Sequence, residues 1–495
     1  MEEGWLFEAI TETYIPLLSM MERLIEEGVA FKLAMSVTPP LCAMLGDELL
    51  RDRCVRRLEY LIGLCERELE RNRDDESRAN LAKFYLDFFM NSRQRFVDDW
   101  KCDLLQVFTK MRDAGALELI GCAATHGLLP LLYEQAPESA RAQLLIGRDV
   151  FERTFGCVPA AWWLPECAYS PRLNGILQET NVRWFVLDAH GIMDADPRPR
   201  RAVYAPYFIP TGPAAYARDP ETSRQVWSAR GGYPGDFAYR EFHREAIFDR
   251  AGEVADQERR FAGLKYFRIT GRTEEKELYD PLFATETAQR HAQHFVNERE
   301  QQLRQLGGAD FDPIVVAPFD AELFGHWWFE GPQFLEEVIR LTAKSKNLHL
   351  VSPGEFLQEH PTQQILQPVA SSWGEKGYLG VWLDPKNAWI YPLLHQAAGE
   401  MISSARKHAS TGQPLVDRFL KQMARELLLA QSSDWAFLIK NGTAREYATA
   451  RTREHLARFD RLRLELEAGA RDETFLSDCE WRDNLFPDLN WRYFI

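Results

Sequence analysis

Two carboxylates stand where a chain has little reason to place charge. Glu166 lies in AAWWLPECAYSP, residues 160–171, behind two tryptophans and a proline. Asp320 lies in FDAELFGHWWFEG, residues 319–331, with Glu322 and His326 among several aromatic rings. A buried, unpaired carboxylate costs several kcal/mol or shifts its pKa, so each needs a partner or a task. For Glu166 alone, a salt-bridged core residue is one reading and a catalytic carboxylate is the other. Together, two acids flanked by flat rings suit glycoside chemistry. One attacks an anomeric carbon, the other protonates the leaving oxygen, and the rings hold the sugar. The competing use is a metal: His126, Asp188, His190 and Asp320 form a mixed set suited to Zn²⁺ or Mn²⁺, although no HxH or HExxH spacing supports it.

These residues need elements that bring them together. LELIGCAATH (117–126) is an apolar strand ending in His126; AAWWLP precedes Glu166; RWFVLDAHG carries Asp188 and His190; PIVVAP precedes Asp320. Further strands are expected at about 31–37, at KYFRITG (265–271) and at LHLV, with helical stretches between most of them. Such alternation predicts a parallel α/β barrel or sheet, with the site at the strands' C-terminal ends. Residues 1–30 and about 47–115 have helical periodicity, the latter rich in charge pairs, and from about 389 the chain is helical again. Residues 203–258 look like one long irregular segment, and loops of that length are usually lids or binding loops. Within it, Gly231-Gly232 and Pro234-Gly235 bracket Tyr233 as if to make a mobile tip.

Composition narrows the partners. The 495 residues carry a formal net charge of −15, which argues against nucleic acid or an anionic membrane. No apolar run approaches the roughly 20 residues of a membrane span. Eight cysteines without CxxC spacing suggest reduced thiols and a cytoplasmic setting. Fourteen tryptophans, many beside Gly, Asp or Glu, raise the prospect of a carbohydrate ligand. GxGxxG and GxxxxGK[ST] are both absent, which disfavours a nucleotide enzyme.

Taken in order, CAATHGLLPLL, WWLPECAY, APFDAELFGHWWFEG, SSWGEKGYLGVWLD, AWIYPLLHQAAGEM and QSSDW resemble the α-glucan branching enzymes of glycoside hydrolase family 57 over nearly the whole chain. The resemblance implies a (β/α)7 barrel (1–45 and 116–388), an inserted helical subdomain (46–115) and a C-terminal helical domain (389–495). It implies a retaining transfer to the 6-OH of an α-1,4-glucan, with Glu166 as nucleophile, Asp320 as general acid/base and carboxyls ~5–5.5 Å apart. Arg260, Gly271, Trp373 and Asp434 are implied glucan contacts, with Trp382 and His126 lining the same cleft. A lid tyrosine is implied too, for which Tyr233 fits better than Tyr216. Neither cofactor nor metal is expected, and the chain would be a monomer or small homo-oligomer. Within the family, a 4-α-glucanotransferase or amylase would use the same acids; a glycan-binding protein with weakened catalysis is the reading from another class. One departure stands out. Family members begin with a strand bearing an HxHLPY-type motif, whereas this sequence starts at MEEGW. That suggests a start codon placed too far downstream or a shortened, weakened enzyme.

Overall fold

A computed structural model describes residues 2–228, 231–245, 263–307, 310–469 and 471–495. Its centre is a six-stranded sheet in the order β1-β2-β3-β4-β6-β5: β1 Leu33–Ser36, β2 Leu117–Cys122, β3 Ala161–Trp163, β4 Trp184–Leu187, β5 Tyr207–Phe208 and β6 Ala214–Ala217. All pairings are parallel except the short antiparallel β5–β6 hairpin at one edge. Strands β4 and β6 are buried throughout, as a parallel sheet covered on both faces requires. Val316 of PIVVAP joins this order at a single parallel bridge with Arg218, just beyond β6.

Three expectations need correction. KYFRITG does not enter the sheet: Arg268 bridges Arg240 and Phe267 bridges Leu278, a small antiparallel arrangement outside it. LHLV forms no ladder and leads instead into the helix Pro353–Glu359. Nor is 203–258 one irregular loop. It holds the β5–β6 hairpin and the helix Pro220–Trp227, capped by Asp219, whose carboxylate accepts from Thr222 N at 2.7 Å. Apolar alanines and tyrosines in a Gly/Pro-rich setting obscured the strand signal there.

Helices wrap the sheet. Residues 2–26 form a nearly continuous helix broken by one wider π-type turn, Ile10–Tyr14. Into that turn fits Gly325 (φ 128°), where a Cβ would lie 1.8 Å from the carbonyl oxygen of Glu12, so only glycine is accommodated. The charge-rich stretch forms an antiparallel-type helix pair, Glu48–Arg71 and Glu76–Arg93, whose apolar sides join the main core. From residue 390 the described residues form the α-helices Ile390–Lys407, Pro414–Ala430, Ser433–Asn441, Arg445–Ala468 and Glu473–Arg482 and a final 3-10 turn, Trp491–Phe494. No described helix is long and apolar enough to cross a membrane.

The helix Pro137–Phe155 lies tightly on the end of β2, and Gly147 permits this. A Cβ there would sit 2.2 Å from the carbonyl oxygen of Cys122. Gly147→Ala is therefore expected to lower the thermal midpoint, because overpacking of about 1–3 kcal/mol exceeds the gain of about 1 kcal/mol in helix propensity. Gly175→Ala, in the helix Asn174–Glu179 with nothing within 4 Å, should leave the midpoint unchanged or raise it. Thermal melts of the two variants followed by circular dichroism check the contrast.

Candidate active site

Immediately after β3 the chain makes a sharp turn, Leu164-Pro165-Glu166-Cys167. Glu166 (φ 62°) and Cys167 (φ 50°) both take left-handed backbone conformations, which cost energy for residues with a Cβ. The turn aims Glu166 out of the strand while leaving it only 9 % exposed. Its carboxylate is held from two sides. Trp373 Nε1 donates to Oε2 at 2.8 Å, and Ser433 Oγ donates to Oε1 at 2.8 Å. The Trp373 backbone N also donates to the Glu166 carbonyl at 3.1 Å. Neighbouring Cys167 has no comparable exposure; burial pushes its thiol well above the ordinary range and keeps it protonated.

His126, after β2, is also left-handed (φ 57°), and its Nδ1 lies 2.9 Å from Ser433 Oγ and 3.6 Å from Glu166 Oε1. Beyond β4, Asp188 is paired with Arg218 at 2.7 Å and with His190 at 3.0 Å. Arg218, at the end of β6, lies 5.8 Å from the Trp373 ring centroid. Asp320 follows PIVVAP, and its carboxyl is pushed up to about 7. Burial is the main cause, then the like charges of Glu322, Glu166 and Asp434, with Arg218 pulling the other way. Glu322 accepts from the Tyr14 hydroxyl of the N-terminal helix. Burial and Glu166 together raise Tyr391, so its hydroxyl stays protonated beside the site. Four tryptophans form a row of ring contacts: Trp163–Trp373 tilted with centroids 4.8 Å apart, Trp373–Trp227 edge to face at 6.4 Å and Trp227–Trp327 tilted at 6.1 Å.

The sequence-derived candidates thus divide. Glu166, His126, Trp373, Asp320 and Asp434 share one electrostatic and hydrogen-bonded neighbourhood. Trp382 lies beneath it, 2 % exposed, against Gly374, where a Cβ would meet its ring at 2.5 Å. Gly271 (φ 72°) is an exposed turn residue whose carbonyl accepts from Lys276 Nζ. Arg260 lies outside the described residues. Tyr216 is buried in β6 and donates to the Pro353 carbonyl at 2.6 Å. Tyr233 is not at a free tip: its ring packs on His291 and Phe334 and its hydroxyl bonds His294 Nδ1 at 2.7 Å. His326 turns toward Glu8 of the N-terminal helix, 3.7 Å away. The alternative metal set is not gathered at one point. Among the described residues, only Glu8/Glu12/His326 and Glu426/His455/Asp483 bring three such groups together. Lys265 and Arg240 already pair with Glu8 and Glu12, and Arg458 with Glu426 and Asp483.

Ser433, Arg218, Tyr391 and Trp227 were missed by sequence reasoning. Arg218 closes an apolar strand as Asp188 does, but AAYA lacks branched residues and sits in a Gly/Pro-rich setting that hides the strand. Ser433 was inside QSSDW, where Asp434 drew attention as the ionisable neighbour.

A carboxylate clamped at a strand end, a second acid whose pKa is raised to about 7 and a row of tryptophans form an arrangement suited to glycoside chemistry. Comparison with known proteins narrows the class. Residues 1–369 match the glycosyl hydrolase family 57 model, and residues 393–494 match that of the 1,4-alpha-glucan branching enzyme C-terminal region. The chain belongs to glycoside hydrolase family 57. It is 35 % identical to a 1,4-alpha-glucan branching enzyme of Thermococcus kodakarensis, over 98 % of this chain and 74 % of that one. Among solved structures, an alpha-amylase of Thermotoga maritima superposes with a TM-score of 0.93 at 42 % identity, covering 100 % of this chain and 94 % of the other. A family 57 branching enzyme of Pyrococcus horikoshii superposes with a TM-score of 0.90 at 36 % identity, covering 100 % and 92 %.

Because the folded chain keeps Asp320 protonated up to about 7, against an ordinary value of 3.8, it binds a proton that the unfolded chain has lost. Stability attributable to this group falls as pH rises between those values. Asp320→Asn is expected to raise the thermal midpoint more at about pH 8 than at about pH 4. Glu322→Gln, by removing a like charge, should move the Asp320 midpoint to lower pH. Infrared titration of the protonated-carboxyl band lost in Asp320→Asn measures this directly.

Proposed function

We propose that this chain is a 1,4-α-glucan branching enzyme. It cleaves an α-1,4-glucan and transfers the released chain to a 6-OH, forming an α-1,6 branch by retaining double displacement. The observation that carries the reading is the contrast between two carboxyls in one neighbourhood: Glu166 held by two donors, Asp320 raised to about 7. Glu166, its orientation fixed by Trp373 and Ser433, is the nucleophile that attacks C1. Asp320 protonates the departing glycosidic oxygen and then takes the proton from the acceptor 6-OH, which requires a value near the working pH. Trp163, Trp373, Trp227 and Trp327 offer rings for sugar faces, and His126 and Asp434 polar contacts at the rim. We place the parallel sheet in a (β/α)7 barrel (1–45 and 116–388), with a helical insertion (46–115) and a C-terminal helical domain (389–495). No cofactor is invoked. A cytoplasmic monomer or small homo-oligomer agrees with eight unpaired cysteines, six of them buried.

Branching is favoured over simple hydrolysis by the C-terminal match, because that region supplies Ser433 to the site. The likeness to an alpha-amylase keeps hydrolysis as the alternative. The deciding experiment incubates the protein with amylose, debranches the product and sizes the chains. New α-1,6 linkages without a matching rise in reducing ends support transfer; reducing ends alone would mean an amylase. Glu166→Gln is expected to abolish both. A variant keeping more than about a tenth of the parental rate would exclude Glu166 as nucleophile, since loss of covalent catalysis costs several kcal/mol. Asp320→Asn should be comparably slow with glucan but recover with azide on an activated substrate.

A further inference from the structure

We infer that Ser433 is a positioning residue for the Glu166 carboxylate, supplied by the C-terminal helices and held in place by a buried amide network. The inference rests on the reading of Glu166 as nucleophile. Ser433 is the first residue of the helix Ser433–Asn441 and is 2 % exposed. Its single hydroxyl proton settles the local bonding pattern. An ionised carboxylate only accepts, so the proton points at Glu166 Oε1, 2.8 Å away. His126 Nδ1, 2.9 Å from the same oxygen, must then be the donor. In a neutral imidazole, donation from Nδ1 would make Nε2 the acceptor. The side chain is 22 % exposed, and Nε2 has no hydrogen-bond partner among the described residues. One serine therefore orients both the nucleophile and the His126 ring.

The hydroxyl is held from behind. Ser433 N donates to the His126 carbonyl at 3.2 Å, and Ser432 bridges Gly127. Gln143, fully buried, accepts from Thr125 N at 3.0 Å and donates to Thr125 Oγ1 at 2.9 Å and to Gln431 Oε1 at 3.0 Å. Gln431 Nε2 donates to Ser139 Oγ at 2.7 Å, and Thr125 Oγ1 to the Leu428 carbonyl. The Gln143–Thr125 bonds tie the helix Pro137–Phe155 to the segment after β2, and the bonds to Gln431 and Leu428 join both to the C-terminal helices. Buried amides with several partners set direction as well as distance, so the Ser433 oxygen has little freedom to wander. With Trp373 on the opposite oxygen, Glu166 is fixed about its own torsions. Each oxygen still has a lone pair for attack.

The test is the rate of covalent labelling by an activated, fluorinated α-glucosyl fluoride, with the site located by peptide mass spectrometry. Attack by Glu166 forms its ester bond to C1 and expels fluoride with the electron pair of the C–F bond. Ser433→Ala should label Glu166 about 10- to 100-fold more slowly, as loss of a hydrogen bond to a charged group implies. The half-saturating reagent concentration should change less than about threefold, because positioning acts on the chemical step. Ser433→Thr, which keeps the hydroxyl, should recover most of the rate. Ser433→Cys, a weak donor that fills the space, should be nearly as slow as Ala and keeps the test readable should Ala disturb the helix start. Labelling of Glu166 at the parental rate in the Ala variant, or equal losses in Ala and Thr, overturns the positioning role. Labelling of another carboxylate overturns the nucleophile reading itself.

Discussion

A carboxylate removed from water has to be given donors, and the arrangement around Glu166 follows from that requirement. Two arrive from distant parts of the chain, an indole N–H from the loop at Trp373 and a hydroxyl from Ser433. Neither is a cation. Two neutral donors hold the carboxylate without cancelling its charge, whereas an arginine in their place would form an ion pair. Arg218, which lies close by, is paired with Asp188. The left-handed turn at Glu166 and Cys167 belongs to the same requirement: it carries the side chain off the strand to where both donors meet it.

Burial and like charges govern Asp320. With Glu322, Glu166 and Asp434 as neighbours and most of its own surface covered, it is easier to leave protonated than to ionise. Two acids of similar intrinsic strength thereby meet different surroundings: hydrogen-bond donors around Glu166, burial and like charges around Asp320. Part of that contrast is set far away in sequence. Tyr14 of the N-terminal helix engages Glu322, and Gly325 lets the turn carrying it dock into the wider helical turn at Glu12.

Strong local patterns were legible in advance. The four apolar strands β1 to β4, the strand-end placement of His126, Glu166 and Asp188, and the helical C-terminal stretch all appear where periodicity put them. What failed was context. KYFRITG has good strand composition but finds only isolated bridges, since β propensity reports a half-buried pleated surface rather than membership of a sheet. AAYA is a strand without branched residues, recognisable only from the neighbours that bury it. Tyr233 sits among turn formers yet packs into a cluster of His291, His294 and Phe334 that lies some sixty to a hundred residues further on. Ser433 shows the deepest limit. Nothing in a serine's own neighbourhood announces that its hydroxyl meets an acid 267 residues away.

The glutamine network between Thr125, Gln143, Gln431 and Ser139 has a bearing on how such a chain can change over evolutionary time. Glutamines that satisfy one another leave no polar surface for a foreign partner to engage, so a C-terminal region taken from a relative would have to bring matching amides as well as matching shape. Recombination between residues 369 and 393, where one family match ends and the other begins, would for that reason alter the surroundings of Glu166, however far the crossover lies from it. Descendants of such an exchange would first need to repair the amide pairing. The two regions are bound to drift together, each substitution at this seam narrowing what the other side can accept.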